Sequence, residues 1–132
     1  MQLALSTQNA RLDAIEADIG PSPTLRLRTG PPPSSCAAAD TGTVCATMTL
    51  PSDWMAPALG GTKAKQGTWQ DGAADAAGTI GHYRIYDSAG ICKLQGTVTI
   101  TGGGGEMTLD NNVVATGQQI TVVSYTWTDG NG

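Results

Sequence analysis

His82 is the only histidine in the chain, so imidazole chemistry at neutral pH would have to run through it. Nucleophilic catalysis also needs a nucleophile beside that base and a third group to orient it. His82 stands in an alternating run over residues 80–86, where it shares a face with Arg84 and Tyr86. That company predicts a histidine at the surface or rim of a polar sheet face. Neither a GxSxG elbow nor an HExxH pair accompanies it. Glycoside hydrolysis would need two carboxylates facing each other across a cleft. Asp71, Asp75, Asp87, Glu106 and Asp110 all fall at predicted turns, where Asp serves local backbone hydrogen bonds.

Metal and phosphate sites are equally thin. Asp71-Gly72-Ala73-Ala74-Asp75 lacks the dense oxygen ligands of a calcium loop. The run Gly102 to Gly105 lacks the Lys-Ser/Thr pair of a phosphate loop and is followed by Glu106, whose charge would repel phosphate. It reads as a flexible link. Trp54, Trp69 and Trp127 have the type for stacking on sugars, but core or interface packing is the stronger expectation. Cys36, Cys45 and Cys92 form an odd set without CxxC spacing. They are expected as reduced thiols packed like small hydrophobes; their spacing leaves an inter-strand bridge open. The chain is therefore read as non-enzymatic, with no cofactor and no metal.

The elements that would position these residues follow from periodicity. Leu5, Leu12, Ile15 and Ile19 recur at helical spacing, with Ser6 or Thr7 as cap and Gly20-Pro21 as stop. The stripe is narrow, so the helix lies on something and is not buried all round. After Pro23 the period becomes two. Strands are expected near 25–28, 43–50, 63–69, 80–86, 92–100, 107–109 and 119–128. A proline-rich exposed loop follows Gly30, a tight corner spans 51–55, a loop covers 71–78, and Asp87-Ser88-Ala89-Gly90 makes a hairpin turn. The last strand is apolar on both faces and belongs mid-sheet, and a polar stub closes the chain at 129–132. Seven or eight short strands without a βαβ rhythm predict no parallel sheet. The expected fold is a mostly β, jelly-roll-like antiparallel β-sandwich with one N-terminal α-helix: residues 1–20 for the helix, 21–132 for the sandwich, one domain overall.

Composition narrows the function classes. The 132 residues suit one domain, and the 14% charged content is below the ~25% of typical soluble domains. That suggests a surface partly covered in the working state. A net charge of −4 argues against nucleic acid and against an anionic membrane surface. No run approaches the ~18 apolar residues of a membrane span. Residues 1–20 lack the features of a secretory signal, so synthesis in a host cytoplasm is expected.

Several segments carry a resemblance. Ser22-Pro23-Thr24-Leu25-Arg26-Leu27-Arg28-Thr29-Gly30, Ala38-Ala39-Asp40-Thr41-Gly42-Thr43-Val44 and Leu50-Pro51-Ser52-Asp53-Trp54 are among them. So are Gly67-Thr68-Trp69-Gln70-Asp71, Gly81-His82-Tyr83-Arg84-Ile85-Tyr86, Gln95-Gly96-Thr97-Val98, Met107-Thr108-Leu109-Asp110-Asn111 and Thr126-Trp127-Thr128-Asp129-Gly130-Asn131. Together they resemble a family of small tailed-phage virion proteins, similar to the cement (decoration) proteins on the outside of an icosahedral capsid, over nearly the whole chain. Cys45 stands where that family would have an aliphatic residue. The resemblance implies a jelly-roll-like fold, a location on the capsid exterior of the virion, a homodimer or homotrimer, and the major capsid protein as partner. It carries over no catalytic residue. The expected protein interface is the helix stripe Leu5, Leu12, Ile15 and Ile19, with Arg26, Arg28 and the Trp54-Met55 corner. The runner-up is a carbohydrate-binding module on a tail or head fibre, which a clustered, exposed set of Trp and Tyr would favour.

Overall fold

In residues 24–29 every second side chain is leucine or threonine-sized and apolar contact alternates with arginine, a pattern that only an extended strand can sort onto two faces. The computed structural model, which describes residues 1–129, builds this segment as β1 (Thr24–Thr29) after one helix, α1 (Leu5–Ile19). There follow β2 (Val44–Thr49), β3 (Thr62–Ala64), β4 (Gln70–Asp71), β5 (Gly78–Tyr86), β6 (Cys92–Ile100), β7 (Met107–Leu109), β8 (Val113–Val114) and β9 (Ile120–Thr128). They form one curled, nine-stranded mixed sheet in the order β2-β1-β5-β6-β7-β9-β3, with β4 paired to β9 and β8 to β5. The sheet curls over its own inner face as a sandwich-like half-barrel, so the mostly β fold with one N-terminal helix is as expected. Beyond Asp129, the expected polar stub lies outside the described residues.

The helix starts one position before the expected caps. Ala4 is the N-cap and offers no side-chain bond; its carbonyl instead receives the N–H groups of Thr7 and Gln8, each at 3.0 Å. Gly20, at φ 86°, ends the helix as expected and donates to the Glu16 carbonyl. The Trp54 indole N–H then donates to the Gly20 carbonyl at 3.0 Å, tying the helix end to the core. Leu12 and Ile19 are buried, while Leu5 and Ile15 flank them in the open.

Two strands are too short for periodicity to reveal: β4 and β8 have two residues each. The strand expected at 63–69 ends at Ala64, because Gly67 turns the chain at φ 77° and Trp69 swings inward. Strand β9 does sit between β7 and β3. Both ends of the sheet are covered by the chain itself. At β2, the Asp71 carboxylate accepts from the Thr47 N–H at 3.1 Å, and the Cys45 carbonyl accepts from Asp75. At β3, the Ala64 carbonyl accepts from Ala56 at 2.8 Å. Such covering protects an edge against strand addition.

One pairing departs from the antiparallel expectation. Strands β6 and β7 run parallel, with Val98 opposite Met107 and Ile100 opposite Leu109. Parallel neighbours ordinarily need a crossover of about a dozen residues. Here the four-glycine run makes the return directly, pressed against Thr99. A Cβ at Gly105 would meet the Thr99 Oγ1 at 2.8 Å, and one at Gly103 would meet the Thr99 Cβ at 2.7 Å. The run is a packed return, not a loose link. Gly105→Ala is therefore expected to cost about 1–3 kcal/mol as overpacking. Gly72→Ala, where a Cβ meets nothing within 4 Å, serves as the neutral control, and urea midpoints of the two variants give the comparison.

Candidate functional site

Alternation along β5 sends Tyr83 and Ile85 to the inner face and His82, Arg84 and Tyr86 to the outer one. Register sets these outer residues beside β1 and β6: His82 lies opposite Arg28, and Arg84 opposite Arg26 and Gln95. The shared face is as expected, but its exposure is not. His82 is 0% exposed and Arg84 1%, because the proline-rich connection between β1 and β2 lies across them. That segment is an exposed loop, as expected, and at the same time the cover of this face.

The cover is held by buried polar groups. The Arg84 guanidinium donates to the carbonyls of Ser35, Cys36 and Ala38, the shortest being 2.8 Å to Cys36, and to the Asp40 carboxylate. Asp40 also accepts from the Tyr86 hydroxyl at 2.6 Å and from Arg28 at 3.0 Å. The Tyr86 hydrogen bond, foremost, and then the two guanidiniums hold the Asp40 carboxyl below the usual carboxylate range, against the burial that would raise it. Arg26 and Arg84 both stand over the Tyr86 ring, at 5.1 and 5.9 Å. His82 Nδ1 lies 2.8 Å from the Gly30 carbonyl; a carbonyl only accepts, so Nδ1 carries the proton. Gln95 donates to the Pro33 carbonyl at 2.7 Å. His82 is thus engaged as an anchor, with no hydroxyl or thiol nucleophile hydrogen-bonded to it among the described residues.

The helix is fastened to the other end of the sheet. Lys63, 2% exposed, reaches Asp13 at 2.6 Å and Glu16 at 2.8 Å. Burial alone would lower its pKa; the hydrogen bonds that it donates to Asp13 and then Glu16 outweigh burial and keep the ammonium charged. Asn9 accepts from the Gly61 N–H at 2.9 Å, and Arg11 pairs with Asp129 at 3.0 Å. Against this frame the expected interface residues divide. Leu12, Ile19, Arg28, Trp54 and Met55 are buried within the chain, a correction: the first two pack under the helix, Arg28 is paired with Asp40, and Trp54 and Met55 belong to the core. Arg26 is half-buried over Tyr86. Leu5 and Ile15 remain exposed, at 55% and 37%. Leu59, which sequence reasoning missed, is 79% exposed and lies two residues from Gly61, whose added Cβ would be 3.8 Å from Leu5. One apolar rim thus joins the start of α1 to the turn before β3.

The inner face carries every aromatic side chain but Tyr86. Trp54, Trp69, Trp127, Tyr125 and Tyr83 form a chain of ring contacts with centroids 5.2–6.0 Å apart. Only Trp127 among them is half-buried; the others are core. The Tyr83 hydroxyl donates to Glu106 at 2.9 Å and meets the Tyr125 hydroxyl at 2.8 Å. Burial, first, and these neighbours push the Tyr83 pKa far up, so it stays a neutral phenol. Gly96 makes room for this arrangement, since a Cβ there would fall 2.4 Å from the Glu106 carboxylate and 2.8 Å from the Tyr83 ring. Between α1 and this face lies a half-open groove of about 520 Å³, bordered by Arg11, Ile15, Leu94, Glu106 and Trp127.

The turn carboxylates have structural partners. Asp71 receives the N–H groups of Thr47 and Ala73, Asp75 the Thr47 hydroxyl, and Asp87 those of Ala89 and Ile91. Asp40 is the one that sequence reasoning passed over, although it is the only acid between Asp18 and Asp53 and the stretch around it faces Arg28 and Arg84. Asp40→Ala leaves the buried Arg84 charge unpaired and is expected to cost about 3 kcal/mol, the low end for a buried pair because Asp40 itself is 38% exposed. Because the folded pKa of Asp40 is depressed, its stabilisation is complete above the ordinary aspartate range, about pH 4, and is lost as pH falls through the lower folded value. Urea unfolding at pH 6 and pH 3 should show a steeper acid loss for the native chain than for Asp40→Asn. Compared with protein-family models, curated proteins and solved structures, the chain gives no match.

Proposed function

We propose that the chain is a non-enzymatic virion protein that binds the outside of a phage capsid as a homodimer or homotrimer and cements neighbouring major capsid proteins. The observation that supports the assembly role is the exposure of Leu5 on α1 and of Leu59 in the turn before β3, with Ile15 farther along a helix that ion pairs and buried leucine and isoleucine hold in place. Exposed apolar side chains on a rigid support suit a protein partner. The choice of capsid as that partner rests on the sequence resemblance described above. The covered sheet edges favour contact through side chains over strand addition. A clamp of this size supplies about 800 Å² per partner, and several linked contacts raise effective concentration so that each patch stays modest.

A second reading, a carbohydrate-binding module on a fibre, draws on the groove beside Trp127, where a half-buried aromatic stands with Arg11 and Glu106. The other tryptophans, being buried, lend it nothing. Co-sedimentation of the purified chain with expanded shells that lack it separates the two. Saturable binding at a fixed ratio to the major capsid protein, weakened at least tenfold by Leu5→Asp with Leu59→Asp, is the expected result. No binding to shells, with retention on a glycan array, would overturn the cement reading.

A further inference from the structure

We propose that Cys36 and Cys92 are a disulfide-forming pair whose bond staples the proline-rich cover to the outer face of the sheet. The chain places the two sulfurs in direct contact, 2.9 Å apart, although 56 positions separate them in sequence. Both thiols are free and half-buried, whereas Cys45 is fully buried elsewhere in the core. Neither partner hangs on a drifting segment. The Arg84 guanidinium grips the Cys36 carbonyl at 2.8 Å and its neighbours at Ser35 and Ala38, and Cys92 opens β6 directly opposite Tyr86. The cover is thus already docked by polar bonds, and the covalent bond would add to a geometry that exists without it.

The chemistry balances with a small-molecule disulfide, such as glutathione disulfide, as oxidant. The Cys36 thiolate attacks one sulfur of the oxidant, and one glutathione leaves as thiolate. The Cys92 thiolate then attacks Cys36 in the mixed disulfide and expels the glutathione held there. The two cysteine thiols are oxidised, the oxidant is reduced, and the two thiol protons end on two glutathione molecules. Cys36 is the natural first attacker, because burial and then the Cys36 thiol itself push the Cys92 pKa up to about 12, with Arg84 pulling the other way. Such a bond persists outside a reducing cytoplasm, so a chain made reduced would be stapled after release. This inference is independent of which partner the chain binds.

The test uses the full chain, incubated with glutathione disulfide, alkylated, and cleaved before aspartate without reduction. Asp40 lies between Cys36 and Cys45, so the digest separates all three cysteines. A Cys36–Cys92 linked peptide is expected, with Cys45 alkylated only after unfolding. The urea midpoint should rise on oxidation and return with dithiothreitol. Cys45→Ala should keep that rise and Cys36→Ser should abolish it. Three free thiols after oxidation, a bond involving Cys45, glutathione retained on Cys36, or linkage only between two chains would each overturn the proposal.

Discussion

A guanidinium withdrawn from water costs several kcal/mol unless its N–H groups are received, and Arg84 is 1% exposed at the middle of the sheet. Strand β5 cannot keep that residue buried by itself, since its neighbours across the register, Arg26 and Gln95, offer no negative charge. The acceptors come from far along the chain. Three carbonyls at 35, 36 and 38 and the Asp40 carboxylate close around the guanidinium. Their arrival brings the whole connection between β1 and β2 onto the outer face, and with it the burial of His82 and Tyr86.

Everything inside the curl depends on that arrangement. With the outer face covered, β5 is buried on both sides from His82 to Tyr86, and the inner face presents Leu25, Leu27, Tyr83 and Ile85 to a core of tryptophans and tyrosines. The glycine return from β6 to β7 then carries Glu106 to the Tyr83 hydroxyl, so the two tyrosines cross the core as a hydrogen-bonded pair. The helix closes the open side, fixed by Lys63 between Asp13 and Glu16. Buried polar groups thus hold distant segments together. Among the groups that face solvent are Leu5, Leu59 and the groove beside Trp127.

The parts legible in the sequence were those with a long period. Strands β1, β2, β5, β6 and β9 each alternate over six to nine residues, and the helix has its stripe and its glycine stop. Residues facing one another on a strand, such as His82, Arg84 and Tyr86, were also readable. What covers them was not, because Arg84 and Asp40 are 44 positions apart and no local pattern links them. The usable signal was charge balance: three arginines on two neighbouring strands, and a single acid in the long loop. The expected interface residues divide for a related reason. A helix stripe and a Trp-Met corner look alike in sequence whether they pack on their own sheet or on a partner, and here Leu12, Ile19, Trp54 and Met55 pack at home. Leu59, in a turn with no period at all, carried no such pattern.

The central claim is that the Arg84–Asp40 pairing organises the outer face. A double-mutant cycle between Asp40→Ala and Arg84→Met, read by urea unfolding at neutral pH, addresses it directly, because removing both partners together relieves the stranded charge. A coupling energy of about 1–3 kcal/mol is predicted, with the double variant less destabilised than the sum of the single ones. Additivity within about 0.5 kcal/mol would mean that the two residues act separately, and would contradict the account.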